Sequence, residues 1–481
     1  MSNRDLIQAI QNNAKRFPER VALRFGNFTV SYAELLDSAT RLAAYLRAGS
    51  GFKSPVLIVL PNSIQSIEAV LACLIAGATC VPMNRVEIDA GSCSSLIEQL
   101  NPGTLIAEND IIESLKLSLQ IERNLVCSPK TQSLIGSGLG DFAAGERHSL
   151  DPQDQNFALV CFSSGSTAKS KGAVHGEAEL SLLARELVEK LEYDANDLSL
   201  VCMQTDRPFC LSSQIFPALL AGATLLIHSE FDPGMVLNAI QQEGITRLYL
   251  FPTMAQRLCA SVLEPAETRL KGCVIGAGLC PSSTIKVFQS KFGVYPMQSM
   301  GMVETLAYSL NTSARMDKLG SCGQPLCGAE ILIEDEDGSS LPAGKLGEIC
   351  VTSQLQMSSY VGEECQAGTK FKTGDVGYID EDGFLWFLCR KSTGMNFELV
   401  LESSKIQNAI SAIEGVEESV VLPNREQTGL IAVVRMPAGM RQSSSSSILA
   451  LRCSVPLRII FLEQLPKLPS GKFDITEIQG L

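Results

Sequence analysis

The sequence predicts an α/β protein with a large N-terminal domain of layered, mostly parallel β-sheets. Short apolar runs that indicate buried strands alternate with segments of helical length, as at residues 56–60 followed by 64–76. Gly77 separates that helix from the next predicted strand, at residues 79–82. Such alternation is typical of parallel sheets covered by helices.

Local signals support the individual elements. Apolar spacing predicts a helix over residues 6–17, alternation predicts a strand at 21–25, and a continuous apolar run predicts a buried strand at 157–162. Ser31, followed three residues later by Glu34, predicts a helix start with a capping box. The strand and helix rhythm continues through Leu125, Leu200 and Leu248.

The pattern changes after about residue 320. Short strands and Asp-Gly turns predict a β-rich subdomain at about 320–389 that belongs to the large domain, residues 1–389. A helix at 404–413 and strands at 416–422, 430–435 and 457–462 predict a small α+β domain at residues 390–481.

Composition excludes several classes of protein. The 481 residues are 45% hydrophobic and carry a net charge of −13, which disfavours nucleic-acid and membrane-surface binding. No apolar stretch reaches the roughly 18–20 residues of a membrane span. The 16 cysteines show no ligand spacing and indicate a reduced, cytoplasmic protein, and three histidines are too few for a zinc site.

A loop rich in serine, threonine and glycine at residues 162–172 is the first candidate site. Its backbone N–H groups, hydroxyls and lysines suit a polyphosphate. Composition alone leaves a surface linker equally open. Further motifs follow: Gly276-Ala277-Gly278-Leu279, Gly301-Met302-Val303-Glu304-Thr305, Thr373-Gly374-Asp375, Arg390, and the segment from Leu465 to Asp474.

In this order the motifs resemble those of the adenylate-forming superfamily, which includes acyl- and aryl-CoA ligases, peptide-synthetase adenylation domains and firefly luciferase. The resemblance runs from Ser31 to Asp474. It implies a large ATP-binding domain followed by a small mobile domain. The residues that it implies for ATP are Ser163, Ser164, Gly165, Ser166, Thr167 and Lys171 at the phosphates, Gly276, Ala277, Gly278, Met300 and Gly301 at the adenine, and Asp375 and Arg390 at the ribose.

The resemblance also implies the catalytic groups, which are Lys472, Glu304, Thr167 and Lys171. Lys472 would bridge the attacking carboxylate and the α-phosphate, Glu304 would bind Mg²⁺, and Ser392 would be the hinge between the domains. By themselves, a glutamate in a helix and a lysine near a C-terminus are typically solvated surface residues. Their places in the motifs favour the functional interpretation.

Several positions depart from the superfamily pattern. Ala168 and Ser170 replace a glycine and a proline of the phosphate loop, and Met300 replaces the aromatic residue that stacks on adenine. Val303 replaces a threonine near the α-phosphate. Around the hinge, the departures are Ser392, Asn396 and Leu399.

The acid pocket is implied at Phe209, Cys210, His175, Gly276 and Gly301. Cys210 stands where members that activate amino acids have an aspartate, so an unpaired substrate ammonium is disfavoured. Asp206 is the residue that could replace that aspartate. For His175, a pocket residue and a packed core histidine are both open.

The predicted function is an ATP-dependent ligase that forms an acyl-AMP from a small aryl or short-to-medium acyl carboxylic acid. The acyl group then passes to a thiol, either coenzyme A or the phosphopantetheine of an acyl carrier protein. Two alternatives remain open. The chain is either an adenylating enzyme with a non-thiol acceptor or a non-catalytic nucleotide-binding relative in which the motifs have degenerated.

Overall fold

The computed structural model describes most of the chain between Asp5 and Leu481. The described ranges are 5–48, 54–89, 94–116, 123–128, 133–135, 158–162, 171–312, 315–363, 368–391, 396–411, 413, 415–437, 439, 453–466 and 473–481. Several predicted site residues lie outside these ranges, namely Ser163, Ser164, Gly165, Ser166, Thr167, Ser392 and Lys472.

Strands occur along the whole described chain. In chain order they are β1 (Val21–Phe25), β2 (Phe28–Ser31), β3 (Val56–Val59), β4 (Thr79–Pro82), β5 (Thr104–Ala107), β6 (Arg123–Ser128), β7 (Ser133–Ile135), β8 (Ala158–Phe162), β9 (Gly172–Gly176), β10 (Leu198–Val201), β11 (Thr224–Ile227), β12 (Arg247–Leu250), β13 (Gly272–Ile275), β14 (Met297–Met302), β15 (Leu306–Leu310), β16 (Gln324–Pro325), β17 (Glu330–Glu334), β18 (Gly347–Thr352), β19 (Ser359–Tyr360), β20 (Phe371–Ile379), β21 (Leu385–Arg390), β22 (Glu418–Pro423), β23 (Leu430–Arg435) and β24 (Leu457–Phe461).

Helices connect most of the parallel strands. In chain order they are α1 (Asp5–Arg16), α2 (Tyr32–Arg47), α3 (Ile64–Ala76), α4 (Arg85–Asp89), α5 (Ser94–Leu100), α6 (Asn109–Lys116), α7 (Glu177–Lys190), α8 (Pro208–Cys210), α9 (Phe216–Ala221), α10 (Pro233–Asn238), α11 (Pro252–Ser261), α12 (Ser282–Phe292), α13 (Phe397–Ser411) and α14 (Ile475–Gly480). Each described helix is too short or too polar to span a membrane.

Four sheets organise these strands. Their strand orders are β16-β15-β14-β13-β12-β10-β11-β1-β2, β19-β9-β8-β4-β3-β5-β6-β7, β17-β18-β20-β21 and β22-β23-β24. The centres of the two largest sheets are parallel, and their outer strands include antiparallel pairs. The predicted α/β class, with parallel sheets and a β-rich part, is confirmed.

One hydrophobic core joins the two largest sheets. It includes residues of both sheets and of helices α1, α2, α3, α7 and α9 packed against them. Every residue of α3 is buried, which agrees with a helix that is apolar apart from Gln65, Ser66 and Glu68. The described cysteines are all free, and most of them lie in the cores, as predicted.

The local signals place α2 and α3 correctly. Ser31 and Glu34 form the predicted capping box, and Gly77 ends α3 in the left-handed conformation at φ 72°. The predicted start of the later helix near Ser404 is wrong, since α13 begins at Phe397. The Asn396 side chain accepts a hydrogen bond from the Leu399 N–H at 3.3 Å, which caps this earlier start.

Asn62 connects the ends of strands from the two largest sheets. It follows β3, and its side-chain amide donates to the carbonyls of Met203 and His228 at 2.7 and 3.0 Å. Its Oδ1 accepts the Thr205 N–H at 2.9 Å. Met203 and His228 follow β10 and β11 of the other sheet, so one buried side chain links three strand ends.

We expect Asn62→Ala to destabilise the protein strongly. The change leaves two carbonyls and one N–H without their side-chain partner in a buried position, which costs about 3 kcal/mol in unfolding free energy. Urea denaturation measures the loss. Asn109→Ala is the control, because Asn109 hydrogen-bonds only to an exposed neighbour, Glu113, and its loss costs less than about 0.5 kcal/mol. Equal losses in the two variants contradict the bridging role.

Candidate active site

Several predicted site residues lie at or just after the carboxyl ends of strands. β8 leads into the phosphate loop, β13 precedes Gly276, and β14 carries Met300 and Gly301. In open α/β sheets, ligands bind beyond the carboxyl ends of the parallel strands. The predicted site segments are therefore associated with strand ends of both large sheets.

Lys171 lies at the end of the phosphate loop. Phe162 and Gly172 are paired across β8 and β9, so the described residues on either side of 163–170 are neighbours. The Lys171 Nζ lies 3.6 Å from the Glu363 carboxylate and 4.3 Å from the centre of the Tyr360 ring. Its side chain is 54% exposed, so an anionic ligand can reach the ammonium.

Glu304 lies in the turn between β14 and β15, and not in a helix as the sequence analysis assumed. It is buried, at 8% exposure. The Tyr360 hydroxyl donates to its Oε1 at 2.8 Å, and the Met357 N–H donates to its backbone carbonyl at 2.7 Å. Burial and the Glu304 carboxylate raise the pKa of Tyr360, which therefore remains a hydrogen-bond donor.

Gly301 and Met300 occupy β14 beside Glu304. A Cβ atom at Gly301 would lie 2.3 Å from the Leu306 carbonyl oxygen, so the close approach of β15 requires glycine here. The Met300 side chain is partly buried against the apolar cluster that contains Tyr308 and Ile333. These contacts give both residues a packing role in addition to the implied adenine contact.

Phe209 and Gly276 are in direct contact. A Cβ atom at Gly276 would lie 2.6 Å from the Phe209 Cζ, so glycine is needed for the ring to occupy its place. The Phe209 ring also lies 6.0 Å from Tyr249 and 6.4 Å from Phe251, between ring centres. Ala277, the next residue, has φ 59°, a left-handed conformation that is unusual for alanine.

Cys210 and His175 are more deeply buried than the pocket assignment implies. The Cys210 thiol points toward the Met203 carbonyl at 3.7 Å, and burial raises its pKa. His175 is fully buried, and its Nε2–H donates to the Val303 carbonyl at 2.6 Å. His175 is therefore a packed core histidine, and its hydrogen bond places it against Val303, the residue next to Glu304.

Asp375 and Arg390, the two residues implied at the ribose, are neighbours on the β20–β21 hairpin. They are partners in the strand register, with the Arg390 Nε 3.1 Å from the Asp375 Oδ1. Arg390 also donates to the Thr373 carbonyl at 2.7 Å. The Thr373 hydroxyl accepts the Asp375 N–H at 3.0 Å, which fixes the turn around Gly374.

The two residues that follow Lys472 are anchored against the small sheet. Asp474 donates its N–H to the Pro466 carbonyl at 3.0 Å and caps α14 through its side chain. Phe473 packs against the cluster that contains Val420 and Ile478. Lys472 itself lies outside the described residues, as do Ser392 and the loop residues 163–170.

Two residues that the sequence analysis missed organise this site. Asn62 holds the strand ends together, and Tyr360 contacts both Lys171 and Glu304. The sequence signal was weak in each case, because a single asparagine after a strand and a single tyrosine in a polar segment are common.

The profile of the family described as AMP-binding enzyme matches residues 10–361. The chain belongs to this family, which confirms the adenylate-forming resemblance. The matched range includes Lys171, Gly276 and Glu304.

Individual relatives share little more than a quarter of their residues with this chain. The chain is 27% identical to an indoleacetate–CoA ligase of Aromatoleum aromaticum, over 99% of this chain and 98% of that protein. It is 27% identical to a feruloyl-CoA synthase of Amycolatopsis sp., with 98% of each covered. The fold is similar to that of ATP-bound MatB from Rhodopseudomonas palustris, at a TM-score of 0.81 and 22% identity, covering 100% of this chain and 99% of that one.

We expect His175 to make stability depend on pH. Burial lowers its pKa to about 4, whereas an unfolded histidine titrates near 6.5, so the unfolded state takes up a proton first. Stability is lost as the pH falls below about 6.5, by about 2 kcal/mol between pH 7 and pH 5. Urea denaturation of the wild type and of His175→Gln, at both pH values, isolates this contribution. Parallel pH profiles contradict a neutral buried His175.

Proposed function

We propose that the chain is an acid–thiol ligase that activates a small carboxylic acid with ATP. The observation that carries this proposal is that Lys171 and Glu304, far apart in the sequence, both contact Tyr360. Both are residues that the family resemblance assigns to the ATP phosphates. The CoA ligases among the relatives support the same class of reaction.

The proposed reaction has two steps. A carboxylate oxygen of the acid attacks the α-phosphorus of ATP, the bond from that phosphorus to the bridging oxygen breaks, and pyrophosphate leaves. The sulfur of the thiol then attacks the acyl carbon of the acyl-AMP. AMP leaves with the bonding electrons of the acyl–oxygen bond, and the thiol proton passes to solvent.

The chain's own groups have separate tasks in the first step. Lys171 offers an exposed ammonium to the phosphates, and Asp375 offers a carboxylate to the ribose hydroxyls. Lys472 places a second ammonium between the acid and the α-phosphate, where negative charge accumulates. We propose that residues 1–389 bind ATP and the acid, and that residues 390–481 supply Lys472.

Glu304 fits a Mg²⁺ site that is completed by the substrate. In the described residues no three metal-ligating side chains cluster, so a site built from protein groups alone is absent there. Mg²⁺ ordinarily takes one or two carboxylates and completes its shell with phosphate oxygens and water. A bound Mg²⁺ would neutralise phosphate charge, and Glu304 would hold it at the phosphates.

The pocket favours an aryl or neutral acyl tail. Phe209 packs against Gly276 and lies beside Tyr249 and Phe251, so the implied acid site borders an aromatic cluster. The nearest acidic candidate, Asp206, lies 3.5 Å from the Arg207 guanidinium, so its charge already has a partner. An amino acid's ammonium would have to compete with Arg207, which supports an acid without an amine.

The thiol that accepts the acyl group is proposed from the relatives of this chain. Coenzyme A is favoured, since the two relatives named above are CoA ligases, and a carrier-protein phosphopantetheine is the alternative thiol. The free and mostly buried cysteines support the reducing cytoplasm as the compartment.

We expect acid-dependent formation of acyl-AMP, and we expect Lys472→Ala to slow it by about 10²–10³-fold, the usual cost of removing one transition-state charge partner. Mass spectrometry of acyl-AMP, formed from ATP, Mg²⁺ and a panel of aryl, acyl and amino acids, measures the forward step. Lys467→Ala in the same segment is the matched control and keeps wild-type rates.

Adding coenzyme A or a phosphopantetheinylated carrier protein to the same reactions then identifies the acceptor. Acyl-AMP that accumulates without thioester supports the non-thiol alternative. If no acid on the panel yields acyl-AMP, the ligase proposal is wrong.

The contact between Phe209 and Gly276 predicts a rescue experiment. We expect Gly276→Ala to lower kcat/KM for the acid by about 5- to 100-fold, because the new methyl group overlaps the ring and overpacking costs about 1–3 kcal/mol. Phe209→Leu in the same chain restores part of the loss by removing the overlapping ring atoms. Gly480→Ala is the control, since a Cβ there meets open space. Additive effects of the two pocket changes contradict the contact.

A further inference from the structure

The segment around β19 joins the two halves of the phosphate end of the site. On one side, the Val361 N–H donates to the Gly172 carbonyl at 2.8 Å, next to Lys171. On the other side, the Met357 N–H donates to the Glu304 carbonyl at 2.7 Å. β19 thus fixes the end of the phosphate loop against the turn that carries Glu304.

Tyr360 is the side chain of β19 that contacts the functional groups on both sides. Its hydroxyl donates to the Glu304 Oε1 at 2.8 Å, and its ring faces the Lys171 ammonium at 4.3 Å. The face of an aromatic ring attracts a cation through its negative electrostatic potential. The Glu363 carboxylate lies 3.6 Å from the same ammonium and balances its positive charge.

We propose that Tyr360 is a positioning residue that orients the Glu304 carboxylate for a divalent cation and holds Lys171 for the phosphates. This inference rests on the proposed function, since it assigns Glu304 and Lys171 to Mg²⁺ and ATP. A donor on one carboxylate oxygen restricts the rotation of the group. Metal binding then costs less conformational entropy, as with outer-shell hydrogen bonds at other metal sites.

The hydroxyl and the ring have separable tasks. Tyr360→Phe removes the hydrogen bond to Glu304 and keeps the ring over Lys171. Tyr360→Leu removes both. A tyrosine that served only to pack β19 would tolerate the loss of its hydroxyl without any change in metal binding.

The test measures binding of Mn²⁺ in the presence of ATP by electron paramagnetic resonance of the free ion. We expect Tyr360→Phe to weaken Mn²⁺ binding about 10-fold, within the usual range for loss of an outer-shell partner. ATP binding without a divalent cation stays at the wild-type level in Tyr360→Phe, and it weakens in Tyr360→Leu because Lys171 loses its ring. Tyr378→Phe is the matched control, because the Tyr378 ring stacks on Trp386 at 5.9 Å, away from these residues.

A double-variant comparison makes the hydrogen bond itself the measured quantity. In a Glu304→Ala background, we expect Tyr360→Phe to have no further effect on Mn²⁺ binding, since the side chain that accepts its hydrogen bond is gone. Wild-type Mn²⁺ affinity in Tyr360→Phe overturns the inference, as does an equal effect in the two backgrounds.

The outcomes also separate this inference from the proposed function. If the wild type forms no acyl-AMP, but Tyr360→Phe weakens Mn²⁺–ATP binding, the ligase proposal fails and the positioning role stands. If the wild type forms acyl-AMP and Tyr360→Phe binds Mn²⁺ normally, only the positioning role fails. Thermal melting of the ligand-free variants shows whether they remain folded. A folded Tyr360→Phe protein that also loses metal-free ATP binding overturns the inference.

Discussion

The buried amide of Asn62 makes the rest of the site possible. It hydrogen-bonds to the chain after β10 and β11 from a position after β3, and so it holds the ends of strands from two different sheets together. A buried amide is stable only when its donors and acceptor have partners, and here the two donors and the acceptor are used. The residues that follow these strand ends, including Phe209, are placed by this bridge.

The site combines rigid aromatic packing with a small number of charged groups. Phe209 packs against Gly276 and two aromatic rings on the side proposed for the acid, whereas Lys171, Glu304 and the Asp375–Arg390 pair are the groups proposed for the nucleotide. Each charged group has a partner within the protein, so the burial of charge is compensated. The chain as a whole is acidic, and the cations needed for ATP are therefore local features of these few residues.

Several strong local signals were sufficient to predict structure. The serine and glutamate of the α2 capping box, the glycine that ends α3 and the hairpin that pairs Asp375 with Arg390 all depend on residues close together in the chain. The predicted start of α13 was wrong. The start of α13 depends on a side-chain cap by Asn396 and on burial of Leu399 against the small sheet. Glu304, which the sequence analysis weighed as a glutamate in a helix, lies instead in the short turn between β14 and β15.

The amino-acid order is enough to identify the family, the α/β class and the residues that its motifs share with other adenylate-forming enzymes, because these are patterns of adjacent residues. It contains no indication that Tyr360 would meet both Lys171 and Glu304, or that Asn62 would join two sheets. Those contacts link residues that are distant in the chain and arise only when strands pair and sheets pack. The arrangement of the phosphate end, with one tyrosine between a cation and a carboxylate, is therefore a property of the folded molecule.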